Sequence, residues 1–372
     1  MVEADWSALR AEFPALASRE RTYLNTATYG QTPRAAVAAM EAHLARRDER
    51  ACADFLSWFD DADALRSDIG LLIGCEARDV TFLPTASAAL SLLMAGIDWQ
   101  AGDRVVTLQN EFPNNVYYPA LLGEDRGVEF VETDWDGFYA ALTPRTRLVA
   151  LSTVSYITGF RAPLAEIARE LDRRGILFYV DGTQSVGALR MNVQEFAPAM
   201  MAVDAYKWML TPNGAGFAYV HPRVRQWLKP VVVGWRSHWD WRAVDNLHMG
   251  APEFSETAER YEGGMLPFPL LYAMHAVVRL MLDAGPAAIE QRVMTLADDL
   301  RARLRRAGAD VLHEGAPIVA ARGFADASAL ARQLREAGVL VSARHGNLRV
   351  STHFYNDAAD LDRFERVLRA CL

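Results

Sequence analysis

Residues 178–220 read FYVDGTQSVGALRMNVQEFAPAMMAVDAYKWMLTPNGAGFAYV, a segment with two apolar, strand-like runs that lead into chemically distinctive residues. The first run ends on an acid, Asp181, and the second precedes Lys207. Of the 39 basic residues in the chain, only Lys207 and Lys229 are lysines. A desolvated lysine can lose its proton and act as a nucleophile or a Schiff-base partner, which an arginine cannot do. The alternative is a lysine that only pairs with a carboxylate.

Short apolar runs alternate with helical segments on both sides of this stretch. The strand-like runs cover residues 79–84, 103–109, 128–133, 147–155, 176–182, 199–206 and 216–222. This alternation is typical of an α/β domain with a mainly parallel, buried sheet. In such sheets, ligands bind beyond the carboxyl ends of the strands.

The pattern changes near residue 250, where two long helices are followed by short strands and a terminal helix. We therefore predict an α/β fold with a large domain at 23–250 and a smaller α+β domain at 251–372. Residues 1–22 are predicted to form an N-terminal arm that packs on the small domain. The sequence shows no internal repeat and no low-complexity linker.

Composition excludes several classes of function. A net charge of −8 and a pI near 5.6 argue against a nucleic-acid-binding surface. No apolar run reaches the roughly 18 residues of a membrane span, and the N-terminus lacks the apolar region of a secretory signal. The three cysteines are far apart, which predicts neither a disulfide framework nor a metal site. We expect a soluble, cytoplasmic protein.

Two segments that follow strands are candidates for binding a planar, phosphorylated ligand. Ala86 and Ser87 lie between a strand and a helix, where backbone N–H groups and hydroxyls bind phosphate well. The alternative is ordinary capping of the helix. Phe112 lies at a strand end before a proline turn and could cover a flat ring, although core packing also explains it.

Three more segments offer polar partners. A buried Asp181 needs a cation, which a protonated pyridine nitrogen would supply, and Gln184 can donate to a phenolate oxygen. The planar fork of Arg349 matches a carboxylate, and Thr28 lies in a turn suited to a ligand. The alternatives are a helix cap for Asp181 and a surface position for Arg349. Together with Lys207, these groups are the parts that a pyridoxal-phosphate enzyme needs.

The sequence resembles the class V aminotransferase group of fold-type I pyridoxal-phosphate enzymes. That group includes cysteine desulfurases, isopenicillin-N-epimerase-like proteins and kynureninases. The resemblance covers nearly the whole chain and is most specific in VDGTQSVGA, AYKWMLTPNGAGF and LRVSTHFYND. It implies a large domain with a mainly parallel seven-stranded sheet and a smaller C-terminal domain. It also implies a homodimer with active sites at the subunit interface.

The resemblance assigns roles around the cofactor, pyridoxal 5′-phosphate. Lys207 would form the internal aldimine, and Asp181 would pair with the pyridine nitrogen. Gln184 would lie near the phenolic oxygen, with Phe112 stacked on the ring. Arg349 would bind the α-carboxylate of the substrate. Tyr156, in the segment VSYITGFR, would lie near the cofactor, and Thr28 near the substrate.

The resemblance also implies a phosphate site, where this chain departs from the usual pattern. Ala86 and Ser87 would hold the phosphate, and Gly264 of RYEGGMLPFP would approach that of the neighbouring subunit. Asp204 and Tyr206 stand where many relatives have Ser or Thr and then His. An acid at 204 would repel a phosphate if it pointed that way, so Tyr206 is the preferred ligand of the two.

The segment VGWRSHWDWRAVDNLHM at 233–249 is unusually aromatic and contains Arg236. Trp-rich segments commonly fill a core or an interface. The functional interpretation is a substrate-lining loop in which Arg236 or His238 meets an acidic side chain. Arg161 is another candidate for a second anionic group of the substrate.

The shared motifs are compatible with three reactions: transamination, β-elimination and epimerisation. Transamination gives the group its name and is the predicted reaction, with a Cβ lyase or an epimerase as the alternatives. The stretch SARHGNLRVS at 342–351 contains no cysteine, so the persulfide chemistry of desulfurases is not expected. A non-enzyme alternative is an inactive homologue that acts as a binding protein, against which the intact pair of Lys207 and Asp181 argues.

Overall fold

The computed structural model describes residues 4–17, 20–247 and 249–372. The helices are α1 (Trp6–Ala11), α2 (Pro14–Ala17), α3 (Arg34–Glu49), α4 (Ser57–Ile73), α5 (Ala86–Gly96), α6 (Tyr117–Arg126), α7 (Phe138–Ala141), α8 (Leu164–Arg174), α9 (Pro222–Arg225), α10 (Phe268–Ala284), α11 (Pro286–Arg306), α12 (Ala327–Glu336) and α13 (Ala358–Cys371). The strands are β1 (Thr22–Tyr23), β2 (Val80–Leu83), β3 (Arg104–Leu108), β4 (Glu129–Thr133), β5 (Thr146–Ser152), β6 (Leu177–Asp181), β7 (Met200–Asp204), β8 (Gly216–Val220), β9 (Asp310–Val311), β10 (Ile318–Arg322), β11 (Val339–Leu340), β12 (Ser342–Arg344) and β13 (Asn347–Ser351).

The predicted central sheet is confirmed. It has seven strands in the order β2-β8-β7-β6-β5-β3-β4, and each strand coincides with one of the predicted apolar runs, with β5 beginning one residue earlier. The pairs among β7, β6, β5, β3 and β4 are parallel, whereas β8 runs antiparallel to both of its neighbours. The sheet is therefore mainly parallel, and the carboxyl ends of β5, β6 and β7 meet at one edge.

Helices cover both faces of this sheet. In β5, Leu148 and Ala150 join the apolar cluster that contains residues of α5, whereas Val149 and Leu151 join the cluster that contains residues of α4 and α10. Successive side chains of a strand point to opposite faces, so both sets are buried. This two-sided burial explains why the strands are apolar at nearly every position.

The C-terminal part of the chain forms a second sheet with the antiparallel order β12-β13-β10-β9. A third apolar cluster joins this sheet to α11, α12 and α13. Near the N-terminus, β1 pairs with β11, and Arg10 of α1 forms an ion pair with Asp360 at 2.6 Å. The N-terminal segment thus packs on C-terminal elements. The division into domains stays a prediction, and residues 1–3, 18 and 19 of the predicted arm lie outside the described residues.

Within the described ranges, no helix is both long enough and apolar enough to cross a membrane. The cysteines at positions 52, 75 and 371 are free thiols. No group of three or more potential metal-binding side chains occurs in the part of the chain that the structure describes.

Candidate active site

The candidate site lies at the carboxyl ends of β5, β6 and β7, as predicted. Asp181 is the last residue of β6 and pairs in register with Ser152, the last residue of β5. Asp204 ends the neighbouring strand β7, and Lys207 follows three residues later. Asp181 and Lys207 are thus brought together from positions that are 26 residues apart because their strands are parallel neighbours.

Lys207 is almost fully buried, with only 7% of its surface exposed. Its Nζ lies 5.2 Å from the centre of the Phe112 ring and 5.5 Å from that of Tyr206. Burial lowers the pKa of Lys207 to about 8, although Asp181 and Asp204 raise it. A lysine with this pKa has a larger fraction of neutral amine near neutral pH than an ordinary lysine, as suits a nucleophile or a base.

The carboxylate of Asp181 is buried and accepts a hydrogen bond from the Thr183 amide at 2.9 Å. Burial raises the pKa of Asp181, while Thr183 and Lys207 lower it. In the described chain, the only hydrogen bond to this carboxylate comes from Thr183. The Asp181 carboxylate can therefore accept a further hydrogen bond from a cationic partner.

Asp204 is also buried, and its Oδ1 accepts the Ala86 amide at 2.8 Å. Burial raises the pKa of Asp204 to about 6, and the neighbouring charge of Asp181 raises it as well. The acid thus points at the N-terminus of α5, where Ala86 and Ser87 are predicted to hold a phosphate. The Ala86 amide donates to Asp204. Among the described residues, neither the amide nor the hydroxyl of Ser87 forms a hydrogen bond.

Gln184 is fixed in orientation by two hydrogen bonds. Its Oε1 accepts the indole N–H of Trp208 at 2.8 Å, and its Nε2 donates to the carbonyl of Ala27 at 3.1 Å. An amide nitrogen carries two hydrogens, so Nε2 retains one donor. This donor is the group that the sequence predicts near a phenolic oxygen.

The loop that carries Phe112 is anchored to the end of β5 by Glu111. This side chain accepts hydrogen bonds from the Ser152 amide at 2.8 Å and from Asn115 Nδ2 at 3.1 Å. Burial raises the pKa of Glu111. Sequence analysis missed this residue, because an acid beside a proline turn carries no signal of burial. Glu111 positions Phe112, whose ring packs edge-to-face on Tyr156 at 5.2 Å.

Arg349 is fully buried on β13 and spreads its guanidinium over three acceptors. It donates from Nε to Ser342 Oγ at 3.0 Å, from one terminal nitrogen to the Tyr156 carbonyl at 2.8 Å, and from the other to Thr28 Oγ1 at 2.5 Å. Burial lowers the pKa of Arg349 to about 9, and Arg344 lowers it further. The predicted residues Arg349, Thr28 and Tyr156 are therefore in direct contact.

Arg344 is a second guanidinium at this site, and sequence analysis missed it. It donates to Thr28 Oγ1 at 3.3 Å and lies on β12, directly opposite Asn347 of β13. Ser342 is directly opposite Arg349, so Arg344 and Arg349 are diagonal neighbours on one face of the hairpin. The register of this hairpin is the signal that would have located Arg344.

Arg236 forms no hydrogen bond with the residues described above. The sequence predicts that it binds the substrate, whereas the structure shows it in buried ion pairs. It is fully buried, pairs with Glu262 at 2.6 Å and Glu259 at 3.4 Å, and packs on the rings of Phe59 and Trp241. A guanidinium closed off from solvent and paired with two glutamates offers no donor to a substrate. Of the aromatic segment around it, Trp241 is buried, whereas Trp239 is exposed.

Two other predicted positions also lie outside the Lys207 group. Arg161 is half-exposed, donates to the Gly315 carbonyl at 3.3 Å and lies 3.6 Å from Glu290. An added Cβ at Gly264 would meet no atom within 4 Å, and the next residue, Met265, is mostly exposed. The predicted role of Gly264 concerns a second subunit and stays a prediction.

The chain matches the family model described as Aminotransferase class-V over residues 22–364. It is 27% identical to isopenicillin N epimerase of Streptomyces clavuligerus, in a match covering 100% of this chain and 99% of the relative. It is 26% identical to a probable cysteine desulfurase of Pseudomonas putida, over 95% of both chains.

Among solved structures, a mutant of C-DES with glycine covalently linked to its pyridoxal-phosphate cofactor is similar in fold. The TM-score is 0.87 at 23% identity, over 96% of this chain and 98% of the other. These matches confirm the resemblance and the fold class that the sequence predicts. The chain belongs to the class V aminotransferases, a family of pyridoxal-phosphate-dependent enzymes.

Proposed function

We propose that this protein is a pyridoxal-phosphate-dependent aminotransferase that acts on an α-amino acid. The observation that carries the proposal is the placement of Lys207. Its amine is buried, has a pKa lowered to about 8, lies 5.2 Å from the centre of the Phe112 ring and interacts electrostatically with Asp181. This environment suits a lysine that reacts with a carbonyl group.

The residues present fit the cofactor, apart from the acid of Asp204 at the expected phosphate position. Asp181 would pair with the ring nitrogen, because its buried carboxylate has room for a cation. Phe112 would cover the ring, Gln184 would donate to the phenolic oxygen, and Ser87 would hold the phosphate at the start of α5. When bound, pyridoxal phosphate supplies the electron sink that acidifies the Cα–H of an amino acid.

Other side chains of the site would bind the substrate, move its proton and exclude water. Arg349 would hold the α-carboxylate of the substrate and thereby orient its Cα–H. Lys207, as a neutral amine, would accept the Cα proton at Nζ and hold it for transfer within the site. Tyr156 and Phe112 would exclude water from the side of the site on which they pack together.

Two observations bear on the choice of reaction. The hairpin of β12 and β13 has no cysteine, which disfavours a persulfide-forming desulfurase. The match to isopenicillin N epimerase spans the full length of both chains, which makes epimerisation the second candidate. The Cβ-lyase alternative follows from the shared chemistry of the family.

We also propose a homodimer. Several large apolar side chains between positions 231 and 265 are more than half exposed in the single chain: Val231, Val232, Val233, Trp239, Met249 and Met265. Gly263, two residues before Met265, lies against Val232. Apolar patches of this kind mark interfaces between subunits. A partner on this face would approach Gly264.

A single-turnover incubation of the cofactor-loaded protein with a panel of amino acids tests the reaction. An aminotransferase releases one equivalent of keto acid and leaves pyridoxamine phosphate on the protein. An epimerase instead gives the opposite enantiomer without keto acid, and a lyase releases pyruvate or alanine over many turnovers. Either of the last two results would overturn the assignment as an aminotransferase.

A further inference from the structure

We infer that Arg344 and Arg349 form a paired site for an amino acid that carries a second acidic group, such as a carboxylate or a sulfinate, on its side chain. One guanidinium would bind the α-carboxylate, and the other would bind the side-chain acid. This inference rests on the proposed function, because it names the substrate class of the same site.

The two guanidinium groups converge on one oxygen atom. Arg349 donates to Thr28 Oγ1 at 2.5 Å, and Arg344 donates to the same oxygen at 3.3 Å. The other hydrogen bonds that both side chains donate go to neutral groups: Ser342 Oγ and the carbonyls of Tyr156 and Ala343. Two positive charges thus face each other across a neutral hydroxyl, which is unfavourable without an anion.

The missing carboxylate distinguishes Arg349 from the other buried arginines. In the described ranges, neither Arg344 nor Arg349 forms an ion pair with a carboxylate. Every other buried arginine does, as Arg10 does with Asp360 at 2.6 Å and Arg301 with Asp298 at 2.7 Å. A buried cation without a partner is costly, and an arriving anion relieves that cost.

The charge balance favours two anionic groups over one. Burial lowers the pKa of Arg349 to about 9, and repulsion from Arg344 lowers it further. A single carboxylate compensates one of the two charges and leaves the second facing the substrate. A substrate with two acidic groups compensates both charges and can form two bidentate, charge-assisted contacts.

The paired site is adjacent to the reacting amine. Arg349 holds the backbone of Tyr156, whose ring packs on Phe112, and the Phe112 ring lies 5.2 Å from Lys207 Nζ. Arg344 is partly exposed, so it lies toward solvent while Arg349 is buried. An elongated substrate can therefore place one acid deep and the other near the entrance.

Calorimetric titration of the cofactor-loaded protein with acids that lack an amine tests the paired site without any turnover. Succinate and glutarate are the probes with two carboxylates, and butyrate is the probe with one. We expect the better of the two diacids to bind at least about tenfold more tightly than butyrate, as charge-assisted contacts do. Arg344→Gln should abolish this preference and leave the affinity for butyrate unchanged.

The matched control is Arg322→Gln on β10, whose arginine is exposed and paired with Asp310. It should keep the preference for a diacid. In turnover, Arg344→Gln should lower kcat/KM for aspartate or glutamate by about tenfold more than it lowers kcat/KM for alanine.

Equal affinity of the wild-type protein for diacids and butyrate would overturn the inference. If Arg344→Gln weakened the binding of diacids and of butyrate equally, the inference would also be overturned. One carboxylate would then bridge both arginines. The proposed function is tested separately by the keto acid and pyridoxamine phosphate of a single turnover. A preference for diacids without these products would support the paired site and contradict the proposed aminotransferase activity.

Discussion

The carboxylate of Asp204 accepts the backbone N–H of Ala86 at 2.8 Å, so an acid lies at the N-terminus of the helix where a phosphate is expected. The positive end of the helix favours this negative charge, but burial opposes it. The balance raises the pKa of Asp204 from 3.8 to about 6. A phosphate at this helix end would therefore lie beside an acid that titrates in a mildly acidic range.

This relationship predicts a pH-dependent effect of Asp204→Asn on stability. Because the folded-state pKa is raised, the native state binds the proton more readily than the unfolded state does. Ionisation of Asp204 therefore destabilises the fold as pH rises from about 4 to about 6. In the cofactor-free protein, Asp204→Asn should increase the free energy of unfolding by about 2 kcal/mol at pH 7.5 and by about half as much at pH 5. Urea denaturation at both pH values measures this, and an equal effect at both would contradict the assignment.

The ring of Phe112 is expected to stabilise the bound cofactor. Phe112→Leu removes the aromatic face but keeps an apolar side chain, which should cost about 1 kcal/mol and weaken cofactor binding about fivefold. Fluorescence titration of the cofactor-free protein measures the dissociation constant. Phe130→Leu on the edge strand β4 is the control and should bind the cofactor normally. Unchanged binding in Phe112→Leu would remove the ring from the cofactor site.

Arg236 is expected to act in stability and not in substrate binding. Arg236→Met leaves Glu262 with Arg66 as its remaining partner and should lower the free energy of unfolding by about 3 kcal/mol. The KM for the substrate should stay the same, since the guanidinium is closed off from solvent. Urea denaturation and steady-state kinetics distinguish the two roles. A raised KM at normal stability would restore the role predicted from the sequence.

The apolar surface at Val231–Val233 is expected to bind a second copy of the chain. Val232→Asp places a charge there and should raise the dimer dissociation constant by at least about tenfold. Light scattering during gel filtration should give twice 41.3 kDa for the wild type and a smaller mass for the variant at low concentration. Leu372→Asp, at the exposed C-terminus, should remain a dimer. A wild-type protein that elutes as a monomer would refute the proposed assembly.

Much of the fold could be predicted because its sheet is buried on both sides. Strands such as β6 and β7 are continuous apolar runs, and the chemically distinctive Asp181 and Lys207 follow them directly. Parallel pairing then brings their ends together. Arg349 was located by the resemblance of the motif LRVSTHFYND to the family, because one arginine among 37 carries no signal of its own.

Other features depend on tertiary packing that the residue type does not reveal. Asp204 and Ala86 are 118 positions apart, and their hydrogen bond follows from how α5 packs against β7. An arginine among tryptophans is equally compatible with a substrate loop and with a buried ion pair, and only the structure shows that Arg236 pairs with Glu262. Arg344 was missed because only the register of its hairpin places it beside Arg349.

The identity of the reactive lysine is the central claim, and one measurement tests it most directly. The cofactor-loaded protein is reduced with borohydride, digested and examined by peptide mass spectrometry. The peptide with Lys207 should carry the reduced cofactor, and the peptide with Lys229, the other lysine of the chain and an exposed one, should be unmodified. Lys207→Arg should carry no label and lose activity, because arginine keeps its proton. A label on Lys229 alone, or no label on the wild type, would contradict the account.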